Sequence, residues 1–115
     1  MKFKSFPVVD SVLKDANERF APTFEPDAER VDILRQYCSV IDGMIEEFRG
    51  DEFECEVDEI DMTVRLELVL ESFTSEEPNH AVNQLISRAM SFRVDYVDDG
   101  HIRLNFVFPS LWRKA

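Results

Sequence analysis

A chain of 115 residues suits one domain, and its 44% apolar content, with ten phenylalanines to fill a core, excludes a disordered polymer. Its 24 acids against 13 bases give a net charge of −11, a sign that repels nucleic acid and anionic membranes. The three glycines, at 43, 50 and 100, cannot build a phosphate-cradling loop or a nucleophile elbow, and no apolar run nears the ~20 residues of a membrane span.

The opening MKFKSFPVVDSVLKDA sets charges where the apolar core of a secretory leader would stand. With two cysteines far apart in sequence, this leads to the expectation of a cytoplasmic protein with reduced thiols. Val9, Val12, Leu13, Ala16 and Phe20 follow helical spacing, which predicts a short helix over 8–20, capped by Ser5 or Asp10 and stopped by Pro22.

The strongest helical pattern covers 27–49, where Val31, Leu34, Cys38, Ile41, Ile45 and Phe48 recur at three and four residues. Asp27 is its expected N-cap, and Gly50 the left-handed residue that ends it. Its polar face carries Asp32, Asp42, Glu46 and Glu47. Gly43 falls inside this helix at a cost of about 1 kcal/mol relative to alanine, which close packing would explain.

At residue 50 the period changes from 3.6 to 2. Phe53, Cys55 and Val57 alternate with Glu54, Glu56 and Asp58, and from Ile60 to Leu70 every second residue is apolar. Two half-buried strands turning at Asp58-Glu59 would place Val57 opposite Ile60, Cys55 opposite Met62 and Phe53 opposite Val64. A third helix is expected from Ser75 to about residue 90, with Ala81, Val82, Leu85, Ile86 and Ala89 as its apolar face. The last pattern is a second hairpin, 92–97 with 102–108, turning through Asp98-Asp99-Gly100 with the glycine left-handed. Its register sets Tyr96 opposite Ile102, Val94 opposite Leu104, and Asp95 opposite Arg103 as an ion pair.

The expected fold is α+β in the order α-α-β-β-α-β-β. Two β-hairpins form a four-stranded antiparallel sheet, with two or three helices on one face and the strand near 62–70 meeting the strand near 102–108. The whole chain, 1–115, reads as one domain, with 1–7 and 110–115 as loose tails. The other sheet face is polar and open, and a homodimer through that face or through strand edges fits a chain of this kind.

Chemistry is sparse. Cys38 and Cys55 lie on apolar faces and read as buried structural thiols, while His80 and His101 are scattered surface residues, so no zinc spacing or cysteine–histidine pair forms. No cofactor is implied. What remains is charge: residues 25–67 hold 15 acids and four bases, and the rest of the chain is balanced at nine of each. The stretch GDEFECEVDEID, residues 50–61, is its centre, with seven acids and no base.

One reading of that stretch is a solvated strand face. The functional reading is a docking surface for a basic protein or peptide, formed by Glu46, Glu47, Glu54, Glu56, Asp58, Glu59 and Asp61. Trp112, the only tryptophan, either covers an edge of the core or anchors a partner. The alternative is a small divalent-cation-binding or hydrolytic domain: Glu56 facing Asp61 across the turn would hold Ca²⁺ or Mg²⁺.

Overall fold

The computed structural model describes residues 5–71, 80–98 and 100–115. The chain order is α1 (Ser5–Phe20), β1 (Phe24–Pro26), α2 (Ala28–Glu47), β2 (Gly50–Val57), β3 (Val64–Leu70), α3 (His80–Arg88), β4 (Ser91–Asp98), β5 (His101–Phe108) and β6 (Trp112–Lys114). The class is α+β, with the helices packed on an antiparallel sheet of order β2-β3-β5-β4. No helix among the described residues is long and apolar enough to cross a membrane.

Alternation along the strands makes the sheet two-faced. Val64, Leu66, Leu68 and Leu70 of the central strand β3 are all fully buried, as are Leu104 and Phe106 of β5. These side chains meet Val9, Leu13 and Ala16 of α1, and Leu34, Cys38, Ile41, Met44 and Ile45 of α2. Desolvating that apolar surface, at roughly 25 cal/mol per Å², is the main force holding helices to sheet. Burial pushes the Cys38 thiol up to about 11 and that of Cys55 to about 12, which suits packing groups rather than nucleophiles.

The first helix starts earlier than its apolar pattern suggests. Ser5 is fully buried, its N–H donates to Asp42 Oδ1 at 2.6 Å and its hydroxyl donates to the Cys38 carbonyl at 2.9 Å, so polar bonds to α2 add a turn that hydrophobic spacing cannot show. Asp10 lies inside the helix, 3.1 Å from Lys14, rather than at its cap. Asp27 caps α2 as expected, accepting from the N–H groups of Glu29 and Arg30. The left-handed residue after α2 is Arg49 (φ 54°), not Gly50. Glycine at 50 serves close approach instead: a Cβ there would lie 2.7 Å from Ile45 Cγ2. Gly43 has open space where its Cβ would point, so close packing is not its reason.

The second hairpin has the register read from its sequence, with Val94↔Leu104 and Tyr96↔Ile102, and Gly100 is left-handed at φ 83°. Asp95 stands opposite Arg103, but its carboxylate accepts from Arg93 Nε at 3.0 Å, while Arg103 Nε lies 3.4 Å from Glu67 Oε1 across β3. The strand β3 joins β5 along its whole length, Val64↔Phe108 to Leu70↔Ile102. Of α3, the Ser75 cap falls outside the described residues; Leu85 is fully buried, and Ile86 and Ala89 pack on the core.

The first hairpin departs from its expected register. Val57 pairs with Val64 rather than Ile60, Cys55 with Leu66, and Phe53 with Leu68. A two-residue hairpin loop needs positive φ at its centre, and Asp58-Glu59 offers no glycine for it. The chain uses residues 58–63 instead, with Met62 left-handed at φ 58° and its N–H on the Asp58 carbonyl at 3.0 Å. The shift is even, so every inward residue stays inward and only its partner changes.

The C-terminal segment is a strand rather than a loose tail. Phe24↔Lys114, Glu25↔Arg113 and Pro26↔Trp112 pair β1 with β6 in a second, two-stranded sheet. Trp112 is 4% exposed; its ring meets Phe20 edge-on, centroids 5.0 Å apart, and its Nε1–H donates to Asn17 Oδ1 at 2.6 Å.

Candidate functional site

On the outer face of the sheet, successive strands form columns of side chains. The edge strand β2 contributes Glu52, Glu54 and Glu56, all exposed. Beside them β3 presents Arg65, Glu67 and Val69, then β5 presents Arg103, Asn105 and Val107, and the far edge β4 presents Arg93 and Asp95. Charge therefore grades across the sheet, from three carboxylates at one edge to balance at the other.

Glu56 stands opposite Arg65, and the two form an ion pair. That hydrogen bond is the first cause of a raised Arg65 pKa. Glu54 faces Glu67, a like-charge neighbour. Glu67 is drawn inward by Arg103 at 3.4 Å, Arg65 at 3.7 Å and the Asn105 side-chain amide at 3.4 Å. Val69 and Asn105 on this face, expected to be open, are 6% and 9% exposed. Among the described residues, neither Glu52 nor Glu54 has a cation within ion-pair distance.

The loop at the end of β2 uses its acids to fold itself. Asp58 Oδ1 accepts from the N–H groups of Ile60 at 2.7 Å and Asp61 at 3.0 Å. Asp61 Oδ1 accepts from the Thr63 N–H at 3.0 Å and its hydroxyl at 2.7 Å, which holds the Asp61 carboxyl below its ordinary pKa. Glu59 pairs with Arg19 of α1, tying the loop to the body. Ile60, lifted clear at the tip, is 95% exposed between three carboxylates.

The structure thus brings together Glu54, Glu56, Asp58, Glu59 and Asp61 and adds Glu52, whose place the strand alternation already implied. Glu46 and Glu47 end α2 near Gly50, the start of β2, which lies roughly 23 Å along the strand from Val57. They form a separate acidic point, set against the negative end of their own helix dipole. The expected pairing of Glu56 with Asp61 is corrected by the register: one carboxylate is on Arg65 and the other on Thr63. Among the described residues, no three of His, Cys, Asp and Glu converge as a metal site. Trp112 is occupied by Phe20 and Asn17, so it covers the core and leaves almost no surface for a partner to grip.

Away from this edge, a cleft of about 330 Å³ between α2 and the end of β5 is lined by Ile33, Tyr37, Phe108 and Leu111 with Arg30 and Arg88, and holds no carboxylate. Fold and site together define a small acidic α+β domain with one charged sheet edge. A scan against protein-family models and searches of curated proteins and of solved structures found no match.

Proposed function

We propose that this chain is a non-enzymatic protein-binding module that engages a basic protein or peptide through the β2 edge and the loop 58–63. One observation carries the reading: three glutamates stand in a column on an edge strand, and among the described residues only Glu56 of the three has a cation at ion-pair distance. Such a column raises a negative potential that speeds encounter with a cationic partner and fixes its orientation. Asp58 and Asp61 shape the loop, and Glu59 and Ile60 give it a charged and an apolar contact side by side. Glu47 adds charge at the far end of the strand.

The test is affinity capture from lysate of the source cell, at low and high salt, with three baits: the native chain, Glu52→Lys/Glu54→Lys, and Glu18→Lys/Asp32→Lys as a control with the same net charge. A basic protein held by the native and control baits at low salt, and lost from the edge variant and at high salt, is the expected result. Equal capture by the native chain and the edge variant would overturn the reading.

A further inference from the structure

The opposite edge of the sheet carries a different signature. Of the five large apolar residues exposed among the described ones, three flank or belong to β4: Met90 at 63%, Val94 at 43% and Val97 at 42%. Among the described residues β4 is an edge strand, paired with β5 on one side only, so its outward N–H and C=O groups form an open ladder. Residues 88–98 hold two arginines and two aspartates and sum to zero, in a chain whose excess charge lies within 25–67. Neither a net charge nor a proline guards this edge, and its bulge lies only at the far end, between Tyr96 and Asp98.

The strand is also its own complement. Turned end for end about Val94, SFRVDYVD sets Val94 against Val94 of a second copy, Arg93 against that copy's Asp95, and Asp95 against its Arg93. Residues directly opposite in an antiparallel pair share a face, so both ion pairs fall on the outer face, while Val94 meets Val94 on the other. In the single chain Arg93 Nε already reaches Asp95 Oδ2 at 3.0 Å along the strand, so both groups stand at the edge with their charges aligned for exchange.

We infer that β4 pairs antiparallel with β4 of a second copy of this chain about a two-fold axis at Val94, making one continuous eight-stranded sheet. The two acidic β2 edges then lie at its opposite ends, free for other partners. Two eight-residue strands joined edge to edge bury less than the roughly 1,000 Å² of a stable interface, so the dimer forms and dissociates with concentration.

The test is sedimentation velocity on the full chain up to ~1 mM. The native chain is expected to shift with concentration from 13.4 kDa toward twice that mass. Arg93→Asp sets acid against acid and Asp95→Arg base against base, so each variant alone remains a monomer while an equimolar mixture of the two forms a heterodimer. Circular dichroism checks that both are folded. A native chain that stays monomeric, a single variant that still dimerises, or a mixture that stays monomeric overturns the inference. Should either variant fail to fold, cross-linking decides. Val94→Cys should yield a disulfide-linked dimer under mild oxidation. Val97→Cys, whose copies lie ~20 Å apart in this register, should not. The reverse pattern, or equal cross-linking of both, overturns it.

Discussion

The two edges of this sheet face the same physical problem and meet it in opposite ways. Among the described residues each edge strand leaves a row of unpaired backbone groups, an open invitation to another strand. On β2 the invitation is qualified by Glu52, Glu54 and Glu56 and by a bulge beside Gly50. On β4 the outer face carries one arginine and one aspartate, and Val94 and Val97 are left half in water. A like-charged edge repels its own copy and attracts an opposite charge, whereas a balanced edge with alternating signs fits itself. The difference teaches that sequence charge is informative by column rather than by total: a net charge of −11 says only that the chain is acidic, while its placement distinguishes a like-charged edge from a balanced one.

The largest expected effect removes what the edges share. Leu68 of β3 is fully buried between Phe53 and Leu104, and Leu68→Ala should cost about 2–5 kcal/mol in denaturant unfolding, loosening both edges together. Gly50→Ala acts on one edge. Its new Cβ would meet Ile45 at 2.7 Å, and the expected cost is about 1–3 kcal/mol, with amide exchange rising along β2 and unchanged along β4. Gly43→Ala touches neither edge and should raise stability by about 1 kcal/mol, since the added methyl meets nothing and the helix gains propensity.

The smallest effect is alkaline. Cys38 and Cys55 hold their protons to about 11 and 12 when folded, against an ordinary 9.0. The folded state therefore binds more protons above that value, so the thiols' contribution is complete below pH 9 and is lost as pH rises through 11 and 12. Cys55 lies under the β2 edge and neither thiol lies on β4 or β5, so alkaline loosening should begin at β2 in pH-dependent amide exchange. At neutral pH both thiols should resist alkylation until the chain is unfolded.

How much was legible followed the local chemistry. The second hairpin could be read in register from Tyr96↔Ile102 to Val94↔Leu104 because Gly100 marks its turn, although Asp98 pairs with His101 past a bulge instead of joining the turn. The first could be read only by face, because Asp58, Asp61 and Thr63 build a side-chain-bonded loop in place of a glycine turn. That loop moved Glu56 from Asp61 to Arg65, which undid the paired-carboxylate site while leaving the acidic column intact. The strand β6 and the N-terminal turn of α1 were hidden for another reason. Both depend on partners distant in sequence: Asp27 N–H on the Leu111 carbonyl, Trp112 on Asn17, Ser5 on Cys38 and Asp42. Alternation and helical spacing report burial, and neither reports a long-range hydrogen bond.

The most direct test of this account is residue-level amide hydrogen exchange on the native chain at low salt: dilute, concentrated, and dilute with an arginine-rich peptide. Raising protein concentration should slow exchange along β4 and leave β2 unchanged, and the peptide should slow β2 and its loop and leave β4 unchanged. Protection of β2 by concentration, or of β4 by the peptide, would contradict the division of labour between the two edges.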